Sequence, residues 1–339
     1  MSRTGSSVGS QGLNVYAADA AGAPIAASLR RITPRVYVPN SKSQTVDVID
    51  PSTFKIVGHF AVGLYSQHIT PSWDMRWLYV NNTLSNSLTV IDPRTSRPVR
   101  TLPVPNPYNL YFTPDGTKAI VVAESLERLD FRDPRTFALI KSVPISAPGP
   151  NHLDFSADGR SLLISAEFSG YVLRVDAVSM RVVGRLHVGG QPIDVKLAPD
   201  GRVFYVANMM RGGVSIIDPI KMRELAFLRT APGAHGLTVS RDARTLYVAN
   251  RAAGSISLID LTSRRVRATW HVGGNPDMFQ QSPDGRRLWV SNRNRGTVSV
   301  IDARNGRVIT VIRVGHSPHG LTYFPQQGRH SLGHNGVYR

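Results

Sequence analysis

The sequence predicts an all-β protein, a seven-bladed β-propeller of four-stranded blades whose ring is closed by an inner strand from the C-terminus. Three observations carry this. A segment recurs about every 42 residues, the period of a four-stranded blade. Each copy holds short apolar runs with alternating character, bounded by Gly, Pro, Asn and Asp. The copies are also out of phase with the ends of the chain, and no stretch carries the apolar period of a helix. A chain of 339 residues can bury an ample core as one all-β domain.

From the N-terminus, residues 1–33 are rich in Ser, Gly and Ala and read as a flexible arm, with no apolar core behind the early Arg that a signal peptide would need. Residues 34–325 hold the repeats. The residue ending the Tyr-Val-x-Asn strand falls at Asn40, Asn82, Glu124, Ala166, Asn208, Asn250 and Asn292. The aspartate of the Val-Ile-Asp strand falls at Asp50, Asp92, Asp133, Asp176, Asp218, Asp260 and Asp302. Seven positions in each column give seven blades. Pro-Asp-Gly supplies a fixed φ, an Asx-type bond and a residue free to take positive φ, which suits the turn between the first two strands. The Asp-Pro pairs serve the turn between strands three and four. The repeats begin at RVYVPN, a second strand, and end at HGLTYF, a first strand, so the C-terminus must supply the missing inner strand and remove the last open edge. Residues 326–339 form a tail, free or packed.

The phrases YVAN, SIIDP, SPDG and VGGNP resemble the YVTN β-propeller repeat family from about Arg35 to Phe324. The resemblance implies the fold. It implies little about activity, because this architecture hosts many unrelated functions.

Composition narrows the chemistry. The absence of cysteine removes disulfides, thiolate metal sites and cysteine nucleophiles. No apolar run is long enough to span a bilayer, and a cytoplasmic protein with no membrane insertion is expected. The net charge of +17 is carried mostly by Arg. The turns of the lower face and the adjoining outer strands hold many of these, among them Arg264, Arg265, Arg286 and Arg287, so a polyanion, if one binds, is expected there. No phosphate-binding glycine loop, nucleophile elbow or zinc-protease helix is present.

Propeller topology turns sequence columns into sites. The loop before strand one and the loop after strand two share the upper face. The aligned residues at the start of the inner strands are His68, Asn109, His152, Asp194, His235, Asp277 and His319. Four of the ten histidines of the chain thus ring the upper mouth of one channel. Neutral imidazole is a common ligand for iron, copper, nickel and zinc. His68, His152, His235 and His319 are therefore the candidate metal ligands. Asn109, Asp194 and Asp277 are expected behind them, orienting the rings. Fe(II) or Cu is the expected cofactor, with Ni or Zn also compatible. The number of histidines is similar to that of the carotenoid-cleavage oxygenases, and nitrous oxide reductase also places propeller histidines on a metal; the likeness is geometric.

Around the same mouth, Glu124 and Glu167 are candidate catalytic carboxylates, as general base or partner of a ligand. Arg211, Arg251, Arg293 and Arg295 form the expected substrate entrance for a small polar or anionic molecule. Met209 and Met210 could line an apolar wall. His330 and His334 lie four apart in the tail with no helical pattern around them. The functional expectation is a mononuclear non-haem Fe(II) or copper oxidoreductase or oxygenase acting on a small polar molecule. The alternatives are a non-catalytic scaffold for protein or nucleic acid, and a metal-assisted lyase or hydrolase.

Overall fold

The computed structural model describes residues 13–334. It contains seven four-stranded antiparallel sheets, arranged in a ring by contacts between neighbouring inner strands, and no α-helix among the described residues. Blades are numbered here by the order of their inner strands: Ser66–Pro71 in blade 1, Asn109–Phe112 in blade 2, Pro150–Phe155 in blade 3 and Pro192–Leu197 in blade 4. Ala234–Val239, Pro276–Gln281 and Thr322–Phe324 follow in blades 5, 6 and 7.

Burial follows position within a blade. Second strands such as Phe204–Asn208 are buried along their whole length, so FYVAN is a near-continuous apolar run. Outermost strands such as Arg265–His271 alternate exposed and half-buried residues, and RVRATWH is accordingly mixed. In all seven blades the pairing of strands three and four shifts register near the Ile-Asp corner, as at Leu258/Ile259 and Val300/Ile301. Such bulges increase the local twist of a strand pair.

Both repeat columns are structural in the main. Asp260 Oδ1 accepts the backbone N–H of Thr262 at 3.1 Å and of Ser263 at 2.7 Å, and Asp218 does the same for Ile220 and Lys221. These N–H donors hold both carboxyls below their usual range. Asn250 Nδ2 donates to Ser255 Oγ at 3.2 Å and Ser257 Oγ at 2.9 Å, tying strand two to strand three. Asn82 and Asn292 repeat the arrangement. Blades 2 and 3 lack this asparagine. Glu124 takes its place in blade 2, and in blade 3 Ala166 does, with Glu167 directly after it; each glutamate opens a 3-10 turn, Glu124–Leu126 or Glu167–Ser169.

The ring closes in blade 7, where Arg35, Val36 and Tyr37 pair with Phe324, Tyr323 and Thr322. Carboxylates and amides fasten neighbouring blades: Asp154 accepts Leu197 N, Asp194 accepts Leu237 N, and Gln280 accepts Tyr323 N.

The N-terminal end departs from the sequence expectation. Residues 13–33, expected as part of a flexible arm, pack along the lower face. The Tyr16 hydroxyl donates to Leu197 O at 2.7 Å, buried Asp19 pairs with Arg241, and Leu29 and Ile32 join the apolar cluster around Phe324. Residues 1–12 lie outside the described region. Arg241 also donates to Gln326, so one buried guanidinium holds arm and tail together. After Phe324 the tail turns back into the ring. His330 stacks on Trp73 with ring centroids 3.8 Å apart, Ser331 N donates to Trp73 O, and Phe112 N donates to Leu332 O at 3.0 Å. Gly333 then bridges to Tyr111. Because inner strands descend from the upper face, a tail running antiparallel to Asn109–Phe112 climbs from below.

No helix among the described residues is long and apolar enough to cross a membrane.

Candidate functional site

All seven column residues lie at the upper ends of the inner strands and are almost completely buried. They do not space themselves evenly. The ring of His68 lies 4.5 Å from that of His319 and 5.1 Å from that of His152, and His319 lies 6.1 Å from His235, centroid to centroid. The four imidazoles thus form one chain of neighbours across the mouth.

Asp277 sits between two of them. Its Oδ1 is 3.3 Å from His235 Nδ1 and its Oδ2 is 3.4 Å from His319 Nε2. His235, Asp277 and His319 present ligand atoms that all lie within 4.8 Å of one another, and all three residues are buried. This group comes from three consecutive blades. It moves Asp277 from the outer position expected of it into the same set as two of the expected ligands. His68 borders the group through His319. His152 stands farther round, with its Nδ1 facing Asn109 Nδ2 at 3.1 Å and the Tyr111 hydroxyl at 3.3 Å. Asp194 is 3.7 Å from that same nitrogen, but its carboxylate is bonded to the backbone N–H of Val195 and Leu237, each at 2.8 Å.

Burial holds His68, His152, His235 and His319 well below the usual histidine range, and nearby arginines or other histidines push in the same direction. The imidazoles are therefore neutral and keep a lone pair. His68 Nε2, His152 Nε2 and His319 Nδ1 make no hydrogen bond. Leaving a buried polar group unpaired costs about 1–3 kcal/mol, and a ligand at the mouth would offset that. Neutral nitrogens, a carboxylate between two of them, and unpaired ring atoms fit a metal ion.

Opposing charge surrounds the group. Arg251 Nη2 reaches Asp277 Oδ1 at 2.5 Å, and Arg293 Nη1 lies 3.7 Å from Oδ2. Burial raises the Asp277 carboxyl, and these two guanidiniums oppose the rise. Across the mouth, burial together with the charge of Glu167 lifts Glu124 to about 7. Burial also raises Glu167, whose Oε2 accepts Asn151 Nδ2 at 2.7 Å. The acidic arc therefore faces a basic arc of Arg251 and Arg293. Arg211 and Arg295 do not join it. Arg211 turns onto the outer strand, 2.8 Å from Glu224 and over the ring of Phe227, and Arg295 is exposed. Beside the mouth lies a cavity of about 770 Å³, lined by Met209, Met210, Arg211, Arg251, Asn275 and Asn294 among others. Arg251 links it to Asp277.

Two aromatic residues of the site escaped the column alignment. Tyr108 packs edge-on to His68 at 5.2 Å, and its hydroxyl feels the charges of Glu124 and Glu167. It immediately precedes Asn109, and an aromatic at that position in one blade alone was the available signal. His334 arrives on the tail with its Nε2 at 2.9 Å from His68 Nδ1. Its signal was the pair of tail histidines, which no blade alignment could place.

Residues 9–329 match the family model of the YNCE-like beta-propeller. No curated protein matches the chain in sequence. Among solved structures, hydrazine synthase of Kuenenia stuttgartiensis is similar over 81% of this chain and 94% of its own, at 21% identity and a TM-score of 0.71. The periplasmic gluconolactonase of Pseudomonas aeruginosa is similar over 86% of this chain and 99% of its own, at 20% identity and a TM-score of 0.72. A protein described as a 6-phosphogluconolactonase from Bacteroides uniformis shares 14% identity over 86% of this chain and 99% of its own, with a TM-score of 0.69. At these identities the likeness is one of fold.

Proposed function

The chain belongs to the YNCE-like beta-propeller family, and on that scaffold we propose a metal-dependent enzyme, of the non-haem Fe(II) oxidoreductase type, that acts on a small anionic molecule at the upper mouth. One observation carries the reading: two histidines and one carboxylate, all buried, with ligand atoms within 4.8 Å of one another. A two-histidine, one-carboxylate set with open positions is the donor set of Fe(II) oxygenases, and copper shares a preference for imidazole. When bound, such a metal supplies redox and Lewis-acid chemistry at its open positions.

The remaining roles belong to the chain itself. His235, Asp277 and His319 would hold the metal, with His68 adjoining. Arg251 and Arg293 bind the anionic part of the substrate, and Met209 and Met210 line the neighbouring cavity. Glu124, lifted to about 7, can take or return a proton near neutrality. Tyr108 and the closed packing of the inner strands limit water.

A second reading is favoured by the contact between Arg251 and Asp277, which already compensates the carboxylate without a metal. It is hydrolysis of a lactone or related ester by Glu124 as general base, the reaction class in the names of two of the similar structures. Elemental analysis of tag-free protein, with uptake of Fe(II), Cu(II) and Zn(II) by the wild type and by a His235→Ala, His319→Ala variant, separates the readings. Stoichiometric uptake lost in the variant supports the first. Protein free of metal and unable to take any up ends it, and chelator-resistant lactone hydrolysis lost in Glu124→Gln would establish the second.

A further inference from the structure

We propose that the upper face of blades 1–4 is a docking surface for a protein partner whose contact segment combines apolar side chains with Lys or Arg. Among the described residues, six large apolar side chains of the upper loops are exposed: Leu64, Tyr65, Leu84, Leu126, Phe168 and Met210. All six belong to these four blades. Phe168 and Met210 are 62% and 73% exposed.

The placement follows the repeat. Leu84, Leu126, Phe168 and Met210 each stand two residues beyond the end position of strand two, one in each of four consecutive blades. The same position holds Ala252, Asn294 and Lys42 in blades 5–7. Single exposed apolar residues are ordinary on a protein surface, but a set of them at one register position on neighbouring blades marks an interaction site. The loops that carry them are fixed. Leu84 N donates to Leu64 O at 3.2 Å, Phe168 N to Pro148 O at 3.2 Å and Met209 N to Gln191 O at 2.8 Å, so each loop after strand two is tied to the loop before strand one of its own blade. Gly149 has φ +77° and lies against the Phe168 ring, where a Cβ would collide. A surface ordered before binding loses little conformational freedom when it is covered.

Charge chooses the partner. The chain carries +17, yet the upper loops of blades 1–3 hold three acids, Glu124, Glu127 and Glu167, and no Lys or Arg. Arg128, where strand three of blade 2 begins, is paired with buried Asp130 at 2.9 Å, and Arg211 of blade 4 is taken up by Glu224. The loops after strand two in blades 5–7 reverse this, with Arg251, Arg293, Arg295 and Lys42 and no acid. An apolar, basic segment laid on blades 1–4 therefore gains apolar burial and opposite charge together. Other occupants fit less well. An anionic bilayer would press lipid phosphates against the three glutamates, and a second copy joined through this patch about a two-fold axis would set like charge against like. Docking here needs no metal at the mouth.

The test uses the full-length protein carrying Leu126→benzoylphenylalanine and, as probes, two synthetic peptides of one pattern, Leu with Lys and Leu with Glu. Irradiation should cross-link the Leu/Lys peptide and not the Leu/Glu peptide, against the +17 charge of the chain. Anisotropy of labelled Leu/Lys peptide should show binding to the wild type, an affinity lower by about tenfold or more in a Leu84→Ser, Leu126→Ser, Phe168→Ser variant, and a smaller loss in Glu127→Lys. A Val99→Ser, Val311→Ser variant, altered at exposed apolar residues of outermost strands, should bind as the wild type does. Failure of the cross-link, or equal binding by the triple variant, overturns the inference, and the cross-link decides alone if the triple variant does not fold. Sedimentation showing wild-type dimers that the triple variant does not form assigns the surface to a second copy and overturns it. Flotation of the wild type with phosphatidylglycerol vesicles, lost in the triple variant, assigns it to a membrane and overturns it equally.

Discussion

Arg251 Nη2 lies 2.5 Å from Asp277 Oδ1, which brings a guanidinium from the upper loop of blade 5 onto a fully buried carboxylate of blade 6. Arg293 adds a weaker contact on the other oxygen, at 3.7 Å. A buried carboxylate stripped of its partner is an uncompensated charge, and breaking such a pair costs about 3–5 kcal/mol. Arg251→Met should therefore lower the urea midpoint strongly. Arg251→Met combined with Asp277→Asn should lose much less than the sum, because the second change removes the stranded charge. Additive losses would show that the two residues do not act as a pair.

The metal reading ranks the column residues. His235→Ala and His319→Ala should each abolish tight binding, since each removes one of three converging donors. Asp277→Asn should weaken it, and His152→Ala less so, because Nδ1 of His152 is engaged by Asn109 and Tyr111. Asp194→Asn is the control: its carboxylate holds Val195 N and Leu237 N, so it should lower the melting temperature and leave affinity nearly intact. Titration calorimetry with Co(II) at pH 7.5 reads all five. A wild-type affinity matched by His235→Ala would remove this assignment.

The repeat made most of the fold readable, because the propeller repeats one local rule. Asp260 and Asn250 each bond within their own hairpin, so their columns report local structure and align in all or nearly all blades. The inner-ring column was readable for the same reason: register alone puts His68 and His319 at the mouth. What register could not supply was distance across the axis. It treated His68, His152, His235 and His319 as equivalents and Asp277 as outer, whereas unequal packing places Asp277 between His235 and His319. Arg211 and Arg251 occupy neighbouring loops after strand two, yet Glu224 and Phe227 draw the first outward and Asp277 draws the second inward. Tyr16, Asp19 and His334 lie outside the repeat, and their places depend on contacts hundreds of residues away that no period encodes.

Glu124 should make stability and activity depend on pH near neutrality. Its carboxyl is raised from 4.5 to about 7 by burial and by Glu167. A carboxyl raised in the folded state favours folding while it is protonated. That contribution is complete below about pH 4.5 and is lost as pH rises through about 7. Glu124→Gln should thus leave stability unchanged near pH 4.5 and raise it by an amount on the order of 2 kcal/mol at pH 8, after allowance for partial exposure. Denaturant unfolding at the two pH values measures the difference. A Glu124→Gln variant equal to wild type at both would place Glu124 at an ordinary carboxylate value.

Two truncations distinguish closure of the ring from filling of the channel. Removing everything from Gly315 deletes Thr322–Phe324, the inner strand that pairs with Arg35–Tyr37, along with the tail. Blade 7 then keeps three strands, exposes an unpaired edge, and loses the contact that joins the last blade to the first. An open edge recruits other chains, so this protein should aggregate or lose its cooperative melt. Removing only residues 326–339 keeps the closing strand. It takes away Gln326 from Arg241, Leu332 from the cluster of blades 2 and 3, and His334 from His68. That protein should keep the elution volume class of the full chain and a cooperative melt, with a lower melting temperature and a channel open from below. Size-exclusion chromatography and calorimetry of the two proteins read both outcomes. A truncation at Gly315 that stayed soluble with an unchanged transition would refute closure by the C-terminal strand, and an unaltered melt on removing 326–339 would show that the tail contributes nothing to the packing of the ring.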